Sequence, residues 1–133
     1  MIKTPKMKKI YILSDDDDFL HIIQLILRKK YNLKSNKNIA CIRKDLDEFM
    51  PDLILIDHFS EIKDSQETIS RIILSNAVKS VPFIIFSGSI ETENFGNNLG
   101  AVRFIPKPST SREISDYVDS FFAILPGNDQ VII

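Results

Sequence analysis

The sequence predicts a doubly wound α/β fold, with a five-stranded parallel sheet in the order 2-1-3-4-5 flanked by five helices. Three observations carry this expectation. Isoleucine-rich apolar runs occupy residues 10–13, 53–56 and 83–86 with no polar residue interleaved, the pattern of strands covered on both faces. Segments with apolar residues at helical spacing separate these runs. The alternation continues to the end of the chain, and right-handed crossovers between parallel neighbours then wind the sheet in both directions.

Taken in order, strand one is residues 10–13, and helix one carries Phe19, Ile22, Ile23, Ile26 and Leu27 on one stripe. Arg28, Lys29 and Lys30 supply the positive charge that a helix C-terminus favours. Residues 32–34 form the weakest strand pattern. Ile39, Ile42, Leu46 and Phe49 predict helix two, with Ser35 as a candidate cap and Pro51 blocking continuation. Cys41 falls in that pattern and reads as a small packing residue. After strand three at 53–56, Ile62, Ile69, Ile72, Ile73 and Ala77 predict a third helix, and Pro82 opens strand four at 83–86. A fourth helix over 90–99 is weakened by Gly96 and two asparagines and would end at Gly100. Strand five is residues 102–105. The last helix opens on a capping box, Thr110 with Glu113, carries Ile114, Tyr117, Val118, Phe121 and Leu125, and stops at Pro126 and Gly127. The expected core is about 8–125, with a tail over 126–133.

At 133 residues, 44% hydrophobic and 26% charged, the chain is expected to form a single domain over 1–133 without a separate output domain. Any signal would then leave through this domain's own surface, most simply as a protein contact. A net charge of −1 from 17 basic and 18 acidic residues leaves no basic footprint for nucleic acid. The lysines at 3, 6, 8 and 9 precede an apolar stretch that meets four aspartates too soon for a secretory signal. No stretch reads as a membrane span. The lone Cys41 cannot close an internal disulfide, and neither it nor His21 or His58 has metal-site spacing. A cytoplasmic location is expected.

In a doubly wound sheet, functional groups gather at the carboxyl ends of the strands. Strand one ends in Ser14, Asp15, Asp16, Asp17 and Asp18; strand three in Asp57; strand four in Ser87; strand five in Pro106, Lys107 and Pro108. The predicted strand order places these ends side by side. Carboxylates crowding from two strand ends repel unless a cation holds them. Mg2+ suits such a place, because it takes oxygen ligands and combines one or two carboxylates with phosphate oxygens and water. Should Asp57 attack a phosphoryl group, the metal, the Lys107 ammonium and the Ser87 hydroxyl can each meet one of its oxygens. Plainer readings stand beside this one. The aspartates can cap helix one, Asp57 and Ser87 with Gly88 suit turns, and Lys107 can be a solvated loop lysine. His21 and His58 receive no role, and Phe95 and Phe121 read as core.

The segments IYILSDDDDFLHIIQLIL, PDLILID, PFIIFSGS and GAVRFIPKP, in this order and at this spacing, resemble bacterial response-regulator receiver domains over about residues 8–125. The resemblance implies a flavodoxin-like receiver fold acting in a two-component phosphorelay, as a phosphoprotein switch rather than an enzyme. Asp57 would accept a phosphoryl group from a histidine kinase or phosphotransfer protein, and Ser87 and Lys107 would contact it. Mg2+ would be held by Asp15, Asp57 and the backbone carbonyl of Phe59. The Lys107–Pro108 bond would be cis, aiming the lysine inward, and Phe104 would take the place of the switch aromatic. The face made by the fourth helix, fifth strand and fifth helix would bind a downstream protein; a homodimer is among the contacts such a face admits. Neither nucleic acid nor membrane is an expected partner.

Two departures from the family pattern matter. Ser14 stands at the first of two positions usually both acidic; sliding the loop by one residue offers Asp15 with Asp16, which keeps Asp16 as a secondary metal candidate. Residues 58–65 replace the usual Met-Pro followed by glycine. An alternative is therefore a degenerate receiver that works as a phosphorylation-independent interaction module. A flavin carrier or a small phosphatase fits less well: four aspartates would face a flavin's phosphate, and Phe59 stands where an aspartyl phosphatase needs a second aspartate.

Overall fold

Apolar runs that lack alternation have no face to give to water, so each must lie between neighbours and be covered twice. The structure, a computed structural model, describes residues 7–14, 16–37, 41–57, 70, 81–88, 94, 103–107 and 109–123. Five parallel strands form one sheet: β1 (Lys9–Leu13), β2 (Asn32–Asn36), β3 (Leu53–Ile56), β4 (Phe83–Ser87) and β5 (Arg103–Pro106). Their order is β2-β1-β3-β4-β5, the doubly wound order predicted from the sequence. The helices described are α1 (Asp17–Leu27), α2 (Ile42–Phe49) and α3 (Ser111–Ala123), the last being the fifth helix of the sequence prediction. The third and fourth predicted helices lie outside the described residues, save that Ser70 and Asn94 are helical.

Successive strand residues point to opposite faces, and this splits each apolar run between two cores. Ile10 and Ile12, Leu53 and Leu55, and Ile84 and Phe86 meet Ile23 and Leu27 of α1 and Ile114, Val118, Phe121 and Phe122 of α3. Tyr11 and Leu13, Ile54 and Ile56, and Phe83 and Ile85 face the other way, onto Ile42 and Leu46 of α2. The capping box forms as predicted: the Thr110 N–H donates to Glu113 Oε1 at 2.9 Å, and the Glu113 N–H donates to Thr110 Oγ1 at 3.1 Å.

Several local expectations are corrected. Ser35 does not cap α2, because β2 runs on through Asn36 in register with β1, and the Ser35 hydroxyl accepts from Gln24 Nε2 at 2.9 Å. Cys41 is exposed and precedes α2 rather than packing inside it. On α1, Leu20 is buried while Ile22 is 50% exposed, so the buried stripe is rotated from the one expected. Arg28 forms the C-cap of α1 and lies beyond its last turn, as do Lys29 and Lys30. Strand five runs on to Pro106, one residue beyond its expected end, and Val102, its expected first residue, lies outside the described residues. No helix among the described residues is long and apolar enough to cross a membrane.

One polar cluster is embedded in the α2 face. Asp45 accepts from the Tyr11 hydroxyl at 2.7 Å and from Asn36 Nδ2 at 2.9 Å, with Lys34 Nζ 3.5 Å away. Burial by itself would raise the Asp45 carboxyl, but hydrogen bonds from Asn36 and Tyr11 and the charge of Lys34 outweigh it and hold the group below the usual carboxylate range. Asp119 is likewise held low: against its burial act Lys30 and Tyr31, which tie the end of α1 to α3. A folded-state pKa below the unfolded value of about 3.9 contributes stability that is present above the latter and lost as pH falls through the former. Asp45→Asn is expected to lower stability by about 1–2 kcal/mol at neutral pH and to make the decline below about pH 4 shallower. Urea unfolding across pH checks both, and parallel acid limbs in the two proteins would refute the assignment.

Candidate functional site

Register determines which strand ends become neighbours. Leu13 pairs with Ile56, and the Asp57 N–H donates to the Leu13 carbonyl at 2.8 Å, so Ser14 and Asp57 follow side by side as the strands end. Both are fully buried, at 0% exposure. The Ser14 hydroxyl donates to Asp57 Oδ2 at 2.9 Å and accepts from the Asp16 N–H at 3.1 Å. The Asp16 carboxylate is the N-cap of α1: its Oδ1 accepts from the N–H groups of Asp18 and Phe19 at 2.9 and 3.2 Å. Asp17 is exposed and pairs with Lys37 at 3.0 Å.

From the other side of the sheet, Ser87 of β4 pairs with Pro106 of β5, which places Lys107 one residue past that pair. The ends of these strands lie close together; a Cβ built on Gly88 would be 3.5 Å from Lys107 Cβ. The Lys107 ammonium forms an ion pair with Asp57 Oδ1. No hydrogen bond of ordinary geometry reaches that oxygen from the described residues, so the ammonium is its partner. Lys107 Nζ also lies over the Phe19 ring, 4.9 Å from its centroid, a cation–π arrangement. Phe19 in turn stands edge-to-face on Phe86, with centroids 4.9 Å apart. A buried carboxylate is tolerable only when such partners answer its charge, and here both of its oxygens are engaged.

The structure thus brings Asp57 and Lys107 together at the predicted edge and puts the Ser87 backbone on the adjoining strand. Asp16 sits at the same end of β1 with its carboxylate turned to helix N–H groups. Asp15, Phe59, Pro108, the Ser87 side chain and residues 58–65 lie outside the described residues. Two participants were not foreseen from the sequence. Ser14 stood out only as a missing acid; that its hydroxyl would bridge Asp57 to the start of α1 depends on three-dimensional register. Phe19 carried a signal, being the aromatic of the first helical turn after an acidic segment, but its apolar character pointed equally to the core.

The Mg2+ implied by the resemblance can be weighed against these donors. Asp57 offers a hard carboxylate oxygen that lacks an ordinary hydrogen bond, Ser14 a neutral hydroxyl, and the acidic loop follows directly. An all-oxygen set with few carboxylates fits a cation that retains several waters. Among the described residues no group of three His, Cys, Asp or Glu is placed to hold a metal.

A five-stranded parallel sheet in the order 2-1-3-4-5 is the doubly wound, flavodoxin-like fold, and it is the fold this chain shares with CheY-like receiver domains. Solved structures bear it out. A CheY-like response regulator receiver domain protein from Methanospirillum hungatei JF-1 superposes with a TM-score of 0.73 at 20% identity, covering 87% of this chain and 94% of its own. The signal receiver domain of a signal transduction histidine kinase from Syntrophus aciditrophicus gives 0.75 at 18% identity, covering 95% and 98%. The chemotaxis protein CheY4 of Vibrio cholerae gives 0.74 at 15% identity, covering 86% and 98%. No family model and no curated protein matches the sequence. At these identities the likeness is one of fold.

Proposed function

We propose that this chain is a phosphoacceptor receiver that switches a protein-interaction face, with Asp57 as the acceptor. The observation carrying the proposal is the fully buried Asp57 carboxylate, paired with Lys107 and bonded by Ser14 at the C-terminal edge of the sheet. A carboxylate is costly to bury without a function for its charge, and Lys107 is placed to answer negative charge on a group attached there. In the transfer, an Asp57 oxygen forms a bond to phosphorus as the bond to the donor's leaving group breaks, and that group departs with the electron pair. Lys107 neutralises a phosphoryl oxygen and Ser87, on the adjacent strand, donates to another. Asp15, Asp57 and the Phe59 carbonyl would hold Mg2+, with Asp16 a secondary candidate only if its carboxylate left the N-cap of α1, and the ion would supply further positive charge at the phosphoryl oxygens.

The donor is a histidine kinase or a phosphotransfer protein. The response is read through the face of the fourth helix, β5 and α3, by a downstream protein or a second copy of the chain, with Phe104 as the switch aromatic. The chain acts as a switch without turnover of a substrate, in the cytoplasm, and neither nucleic acid nor a membrane takes part. Incubation with Mg2+ and a small phosphodonor, followed by intact mass measurement, is expected to add one phosphoryl group in the wild type and none in Asp57→Asn. An unmodified wild type would refute the proposal.

A second reading has its own support. Ser14 replaces an acid and its hydroxyl occupies Asp57 Oδ2, an arrangement that also suits an interaction module that works without phosphorylation. It predicts no adduct and an unchanged partner affinity in Asp57→Asn.

A further inference from the structure

The acidic end of β1 supplies less charge to the site than its sequence advertises. Ser14, fully buried beside Asp57, is neutral, and it spends its proton on Asp57 Oδ2 and its lone pair on the Asp16 N–H. The Asp16 carboxylate is committed to the N-terminus of α1, and Asp17 is committed to Lys37. Within the buried group itself, the negative charge of Asp57 is already matched by Lys107. Among the described residues, Ser14, Asp57 and Lys107 of the resting site therefore sum to zero charge, with one acceptor oxygen hydrogen-bonded and the other paired, which leaves Asp15, outside the described residues, as the remaining acid of the proposed ligand set.

We infer that Ser14 is a specificity-determining residue that makes cation binding conditional on the phosphoryl group. The resting protein binds Mg2+ weakly, and the anionic oxygens of the phosphoryl group supply the charge that a second acid would otherwise contribute. Binding of the two is then strongly coupled, and by linkage each tightens the other by the same factor. The inference rests on the phosphoacceptor reading, in which cation and phosphoryl group share the Asp57 site. The charge at position 14 sets how large the coupling is: an added carboxylate a few ångströms from the divalent cation strengthens binding by about tenfold or more even at high effective dielectric, and it does so most where no phosphoryl oxygens are present.

The test is a titration of the whole chain with Mg2+, followed by amide shifts in NMR spectra, without and with beryllofluoride as a phosphoryl mimic. The wild type alone is expected to have a dissociation constant weaker than about 1 mM, and the mimic is expected to tighten it by at least about tenfold. Ser14→Asp is expected to bind Mg2+ at least about tenfold more tightly than the wild type without the mimic, with correspondingly smaller coupling. Ser14→Ala, neutral like the wild type, is expected to stay within about threefold of it, which guards against a Ser14→Asp protein that fails to fold. Sub-millimolar binding by the resting wild type, coupling as large in Ser14→Asp as in the wild type, or tightening in Ser14→Ala would each overturn the inference. Phosphodonor labelling of the same samples separates this from the function itself: no adduct in either wild type or Ser14→Asp counts against the phosphoacceptor reading, whereas tight resting binding with a normal adduct counts against the role of Ser14 alone.

Discussion

Replacing Lys107 with methionine is expected to destabilise the protein by about 2–3 kcal/mol, although the lysine side chain is itself 34% exposed. The loss arises on the other partner. Asp57 has no exposure, so removing the ammonium leaves Oδ1 charged and unanswered, while the Ser14 hydroxyl still serves only Oδ2. Breaking a buried pair from one side costs about 3–5 kcal/mol, and access of water around Lys107 brings the figure to the low end or just beneath it. Adding Asp57→Asn to the methionine variant removes the stranded charge and is expected to return most of the loss, a coupling that a double-mutant cycle in urea reads directly. A cost under about 0.5 kcal/mol, or no recovery in the double variant, would show that the pair behaves as a surface contact.

Leu55→Ala is expected to cost about 3 kcal/mol, within the range of about 2–5 for emptying a core leucine site. Leu55 is completely buried on the central strand and belongs to the layer under α1 and α3. The expected fall in Tm is about 10 °C for a chain of this size. Ile22→Ala makes the sharp contrast: it removes a residue as apolar, but one that is half exposed on α1, and its cost is expected to stay within about 0.5 kcal/mol. Thermal unfolding of the two variants decides the matter; equal losses would mean that the buried face of α1 has been assigned to the wrong side.

The strand order and the two-sided cores were legible because every residue of the runs at 53–56 and 83–86 is apolar, which leaves no solvent face and forces a covered parallel sheet. The start of α3 was legible because capping chemistry is local: Thr110 and Glu113 need only each other. Ser35 misled for the same reason, since a serine before a helical pattern looks like a cap whether or not a neighbouring strand has claimed its backbone. The buried side of α1 was read with an error of orientation because Leu20, Ile22, Ile23 and Leu25 are all apolar and only packing selects among them. At the site, Asp57 and Lys107 could be named from strand ends. What Ser14 and Phe19 do there could not, because a hydroxyl bridge and a ring beneath an ammonium are relations between segments and have no signature within either.

The hydrogen bond from the Asp57 amide to the Leu13 carbonyl gives the chain a form of quality control. It belongs to the same ladder that seats Leu13 and Ile56 on one face and Ile12 and Leu55 on the other. A slip of β3 by one residue would turn every side chain of that strand to the wrong layer, and the same slip would carry Asp57 away from Ser14 and Lys107. Mispaired molecules are thus eliminated by the cost of exposing their cores before they can present a misassembled Asp57 site. On the proposed phosphoacceptor reading, the fraction of molecules able to react should equal the fraction that is folded.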